Sequence, residues 1–344
     1  MADQKSAFGT QPAPLMYMAQ FKAGRWQKGK IQPFADLTLS PFAMCFHYGQ
    51  TVFEGLKAFK SPTQQVSIFR PEDNFHRLNV SLERMAMPVL PRSNWDEGVL
   101  SLVGDLKNVV PSFGYGVLYI RPFVIATQAK LGVDVSEEYL FMVVAGPVSS
   151  YYSHPLRVKV ERHYTRAAPG GVGYAKCGGN YGGALLPFQK AKEEGFDQIL
   201  WTDANTHEWF EESGTMNFGF IVDDVFITPP VSDTILDGIT RKSIIQLARD
   251  VGLTIEERGF SVSALKAAFD AGQQVEAFGI GTAAGIAPFQ SISIDGADYA
   301  CYHETDARLY QLKSALVGIQ TGELADTYNW NTVVSIPESS PIVM

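Results

Sequence analysis

GGVGYAKCGGNYGG, residues 170–183, is the least ordinary stretch of this chain: seven glycines surround one lysine, Lys176. Glycine permits positive φ and lets backbone approach a ligand closely, at an entropic cost. A lysine enclosed in a pocket can lose its proton and attack a carbonyl, because desolvation and nearby cations depress its pKa. The stretch also reads as a flexible surface loop with a solvated lysine, which composition alone favours. A third reading, a phosphate-cradling nucleotide loop, lacks the GxxxxGK[ST] order.

Working outward, the polar run SSYYSHP (149–155) ends in Pro155 and reads as a linker. After it come a strand at 157–161, the glycine-rich stretch, a helix over 184–194 and a strand at 198–202. A hairpin at Asp223–Asp224 and a helix from Ile239 to Val251, closed by Gly252, follow. A last stripe at Leu309, Leu312, Leu316 and Ile319 predicts a surface helix packed on the second domain. Before the linker, helical stripes occur at Phe75, Leu78, Leu82 and Met85 and at Val99, Leu102, Leu106 and Val109, the second stopped by Pro111. Asn94 with Glu97 resembles a capping box. Strands are expected at 117–126 and 139–145; Pro122 predicts that the first is an edge strand or bulges there. Helices and strands mixed without regular βαβ alternation indicate an α+β protein. Its 344 residues divide into a small N-terminal domain (1–148), the linker (149–155) and a large C-terminal domain (156–344).

Other segments could carry chemistry. In EWFEESGTMNFGF (208–220), Glu211 and Glu212 precede a Ser-Gly-Thr turn. A carboxylate buried beside a pyridine ring would keep the ring nitrogen protonated, although adjacent acids usually end up solvated. Gly238, Ile239 and Thr240 open a helix whose N–H groups and dipole attract phosphate, and FGIGTAAGIAP (278–288) sets small residues around Thr282. Either could be plain punctuation. Arg77, beside an apolar stripe, could turn inward to a phosphate, though most such arginines snorkel outward. Tyr48, Phe53 and Glu54 lie in HYGQTVFEGLKAF, and Tyr119 and Arg121 share a strand face. Aromatics with a guanidinium can line an apolar pocket that orients a carboxylate; singly, each aromatic is more often core.

The net charge of −8 argues against nucleic-acid or acidic-membrane partners. No apolar run reaches the roughly 18 residues of a membrane span. The first dozen residues read as a loose arm without signal or transit character. Three widely spaced cysteines form no disulfide framework, and a cytosolic protein is expected. The six histidines show no metal-ligand spacing, so no metal is expected.

Taken in order, HYGQTVFEGLKAF, FRPEDNFHRL, LYIRP, GGVGYAKCGGNYGG, EESGTMN, ILDGITRKS and FGIGTAAG closely resemble the branched-chain aminotransferases of pyridoxal-phosphate (PLP) fold type IV. The resemblance implies a two-domain α+β fold with the cofactor in the C-terminal domain. It implies that Lys176 bonds the cofactor and shuttles protons, Tyr181 bonds its phenolic oxygen and Glu212, rather than Glu211, pairs with its ring nitrogen. Arg77, the backbone of Ile239 and Thr240, and Thr282 would bind its phosphate. Tyr48, Thr215 and the backbone around Ala283 would take the substrate carboxylate. Phe53, Tyr119 and Tyr181 would form the apolar pocket, with Arg121 for acidic substrates. Leu131 and Val133 resemble the loop that dimers of this family lend to the neighbouring site, so a homodimer is implied. The implied reaction exchanges amino groups between leucine, isoleucine or valine and 2-oxoglutarate. A D-amino-acid aminotransferase or aminodeoxychorismate lyase on the same fold is the alternative.

Overall fold

The computed structural model describes residues 9–149, 152 and 154–334, so part of the expected N-terminal arm and of the linker lies outside the described residues. The chain forms two compact units, residues 1–150 with 319–344, and residues 151–318. The expected C-terminal domain ran to the end of the chain. Instead the last segment belongs to the first unit, because Asn331–Val333 pairs antiparallel with Val66–Phe69.

The first unit is built on an antiparallel sheet whose central strand, Val117–Ala126, pairs with Tyr139–Val148 along its full length. Alternation of buried and half-buried residues along it sets Tyr119 and Arg121 on one face. Pro122 is therefore neither at an edge nor at a bulge. Its outer neighbour is interrupted there: Thr51–Phe53 pairs with residues 123–125, Leu56–Lys60 with residues 118–120. In the gap the Glu54 N–H donates to the Pro122 carbonyl at 2.7 Å, so the side of the strand that lacks a donor meets no ladder partner.

Helix Pro71–Arg84 follows the first apolar stripe, burying Leu78 and Leu82. The second stripe is not one α-helix: Arg92–Trp95 and Leu102–Asp105 flank a π-helical turn, Asp96–Ser101. The capping box is absent, since the helix begins after Pro91 and no side chain caps it. Asn94 instead donates to the Tyr17 hydroxyl (3.2 Å) and the Gln27 carbonyl (3.1 Å), while Glu97 accepts from Tyr17. Both polar groups hold the strand Leu15–Lys22.

The second unit has a mixed sheet in the order Phe210–Ser213, Gln198–Thr202, Leu156–Glu161, Gly285–Ile294, Val275–Gly281, Asn217–Val222, Val225–Thr228 and Thr254–Glu257. Its core centres on Phe210, Phe218 and Phe220, which meet edge-to-face at 5.1, 5.6 and 6.0 Å. Asp223 and Asp224 make the expected hairpin turn with positive φ. Helix Ile239–Asp250 is followed by Gly252 at φ +81°. In helix Arg308–Thr321 the stripe Leu309, Leu312 and Leu316 is buried, and buried Glu276 accepts the first N–H groups, of Arg308 and Leu309.

Candidate active site

In the second unit one pocket gathers Lys176, Tyr181, Glu212 and Thr215 with Arg166 and Asn180. The glycine-rich stretch is not a loose loop. Of its glycines, Gly170 has positive φ and residues Gly178–Gly182 form a helical turn. Gly173 is needed for close approach: a Cβ there would lie 2.6 Å from that of Ala167 and 2.7 Å from the Thr234 Cα. The Asn180 amide donates to the carbonyls of Val172 and Ala175, both at 2.8 Å, and so fixes the turn that carries Lys176. The Lys176 ammonium donates to the Tyr181 hydroxyl at 2.8 Å.

Glu211 and Glu212 are both buried, against the solvated-turn reading. Successive residues of the strand Phe210–Ser213 point to opposite faces, and Glu212 is the one that lines the pocket. Its Oε1 accepts from the Leu236 N–H at 2.7 Å, and its Oε2 lies 3.4 Å from the Arg166 Nε. Burial pushes the Glu211 carboxyl above its usual range, while a bond from Thr234 and the Arg166 charge pull the other way. Thr215 sits at the tip of a tight turn closed by two 2.8 Å backbone bonds between Ser213 and Met216.

Ile239 and Thr240 are buried at the start of their helix, where Gly238 supplies no side-chain cap. A Cβ on Gly238 would fall 1.8 Å from the Asn217 Oδ1, so any side chain there would force Asn217 to move. Thr282 and Ala283 lie in the turn between Val275–Gly281 and Gly285–Ile294. Asn217 pairs with Ile280, and Met216 packs on Gly279 and Gly281, which sets this turn beside the Ser-Gly-Thr-Met turn. Neither pair lines the Lys176 pocket itself.

In the first unit, Arg121 stands 4.7 Å over the Phe53 ring and 5.4 Å over that of Tyr119, donating to the Tyr119 hydroxyl at 3.1 Å. Lys57, opposite Tyr119 in the register, has its ammonium lowered to about 8 by burial. The Tyr48 hydroxyl donates to the Leu131 carbonyl. Leu131 and Val133 are exposed, Val133 at 84%. Arg77 has turned inward, but to a carboxylate: its Nε and Nη2 donate to the two oxygens of buried Glu54 at 2.7 and 2.8 Å. Glu54→Ala, which removes that partner, is expected to cost about 3–5 kcal/mol in urea unfolding; a loss below about 1 kcal/mol would show that the pair contributes little.

The family model described as amino-transferase class IV matches residues 51–292. The chain belongs to the class IV amino-transferases. Among relatives of this class IV enzyme, branched-chain-amino-acid transaminase 1 of Bacillus subtilis (strain 168) is 41% identical over 336 residues, covering 95% of this chain and 94% of its own. A probable branched-chain-amino-acid aminotransferase of Streptomyces coelicolor is 39% identical, covering 94% and 91%. The solved branched-chain amino acid aminotransferase from Escherichia coli superposes with a TM-score of 0.73 at 26% identity, covering 93% and 99%. That from Thermobaculum terrenum in its PLP form shares the fold, with a TM-score of 0.76 at 24% identity and coverage of 94% and 99%. Sequence reasoning missed Arg166 and Asn180, and it assigned Glu54 no partner. Asn180 lies inside the quoted glycine-rich motif, and its amide, four residues beyond Lys176, was the one available signal.

Proposed function

We propose that this class IV amino-transferase passes amino groups between leucine, isoleucine or valine and 2-oxoglutarate, with PLP bonded to Lys176. The observation that carries the reading is the pocket itself: one amine, one phenol and one buried carboxylate converge there, in a chain 41% identical to a branched-chain transaminase. The residues fit the cofactor. Glu212 offers a buried carboxylate to the ring nitrogen and Tyr181 a hydroxyl to the phenolic oxygen. The uncapped helix start at Ile239 and Thr240, with Thr282, suits the phosphate. When bound, PLP supplies an electron sink for charge developing at the substrate Cα.

The chain's own groups do the rest. Lys176 moves the proton at the substrate Cα, where a base with a pKa near the working pH serves best. Thr215 and the backbone around Ala283 hold the substrate carboxylate. Phe53 and Tyr119 supply apolar wall for an aliphatic side chain, and Arg121, between them, supplies the charge that an acidic substrate needs. Arg121→Gln is therefore expected to raise KM for 2-oxoglutarate about ten- to a hundredfold, the worth of a charged hydrogen bond. The KM for leucine should change less than threefold. Equal effects on both would remove Arg121 from this role.

Exposed Phe42, Phe46, Leu131 and Val133 lie on two segments tied by the Lys130 N–H to Phe42 carbonyl bond. This apolar surface supports a homodimer in which Leu131 and Val133 reach a neighbouring site. No helix of the described residues is long and apolar enough to cross a membrane. The three free cysteines support a cytoplasmic enzyme. A coupled assay tests the whole reading. Leucine and valine should yield 2-oxo acids with 2-oxoglutarate as acceptor, and turnover of D-alanine in their place would overturn it.

A further inference from the structure

We propose that Arg166 is a positioning residue that keeps the Glu212 carboxylate ionised, and so holds the proton on the cofactor's ring nitrogen. This rests on the reading of Glu212 as the partner of that nitrogen. Arg166 is buried, and its guanidinium is tied down at three points. Its Nη2 donates to the Thr234 carbonyl and, at 3.3 Å, to that of Gly173, while its Nε lies 3.4 Å from the Glu212 Oε2. The Nε makes no hydrogen bond among the described residues. The carboxylate is thus within electrostatic reach of the guanidinium.

The position of the charge decides which way the proton goes. A cation 3.4 Å from the carboxylate disfavours a proton on that carboxylate. Without it, a buried carboxylate facing a pyridine is the better base and takes the proton itself. The same guanidinium spans the Lys176 turn, through Gly173, and the segment of Thr234 to Leu236 whose Leu236 N–H holds the other carboxylate oxygen. One side chain therefore sets both the charge and the place of Glu212 relative to Lys176. Arg is suited to this because it stays protonated when buried and its planar fork reaches several acceptors at once.

The test is ¹⁵N NMR of holoenzyme carrying cofactor labelled at the ring nitrogen. Wild type should show the pyridinium position, and Arg166→Lys, which keeps the charge, should keep it. Arg166→Gln, which keeps a donor and drops the charge, should shift the signal to the neutral pyridine position, as should Glu212→Gln. A pyridinium signal in Arg166→Gln, with the shift in Glu212→Gln, overturns the role of Arg166 and leaves Glu212 standing. A pyridinium signal in Glu212→Gln overturns the reading of Glu212 itself. If Arg166→Gln does not fold, Arg166→Met, which also drops the charge, decides: the neutral position upholds the charge argument, and the pyridinium position ends it.

Discussion

Lys176→Ala is expected to lower kcat by at least about 10⁴-fold, the upper range for a single acid–base group, while the circular dichroism spectrum stays that of the wild type. The side chain is half-buried and donates a hydrogen bond to Tyr181, while the turn that carries it is held by Asn180 and should stay intact. Chemistry, not folding, should fail. No second lysine lines this pocket among the described residues. A variant that retained activity within tenfold of wild type would place the proton transfer on another residue.

Glu212→Gln is expected to lower kcat about 10²–10³-fold, as removal of one preorganised electrostatic partner does. Glutamine is the better probe than alanine. It keeps an acceptor for the Leu236 N–H, which alanine would leave buried and unsatisfied at a cost of about 1–3 kcal/mol. Cofactor should still bind through Lys176 and the phosphate groups, so the loss belongs in kcat and not in cofactor content. A Gln variant with kcat within threefold of wild type contradicts the assignment. Glu211→Gln, on the opposite face of the same strand, should have a far smaller effect on kcat.

What the chain reveals before folding depends on the reach of each signal. Local ones carried well: helix Pro71–Arg84 from its stripe, the hairpin from Asp223-Asp224 and the helix start at Ile239 from Gly238 all rest on neighbours in sequence. Pro122 misled because its tolerance depends on a gap in another strand, which no local pattern records. Asn94 and Glu97 have capping-box spacing, yet Tyr17, far away in sequence, claims both. The π-helical turn at Asp96–Ser101 adds a residue to a stripe that reads as α-helical.

The site divided in the same way. Lys176, Tyr181, Glu212 and Thr215 were singled out through ordered motifs, and they line one pocket. Taken alone, the glycine-rich stretch and the paired glutamates favoured solvated loops, because burial is a property of the sheet that receives them. Arg166 gave no signal at all. Its acceptors, Gly173, Thr234 and Glu212, come from three segments that only the folded sheet brings together. The inward turn of Arg77 was considered, but its bidentate carboxylate partner was not, since Glu54 lies on a different element.

The central claim is a covalent bond between cofactor and one amine, and borohydride reduction of the purified enzyme followed by peptide mapping tests it. A pyridoxyl adduct on the peptide bearing Lys176 is the result expected. An adduct on a different lysine, or none from enzyme supplied with PLP, contradicts the account.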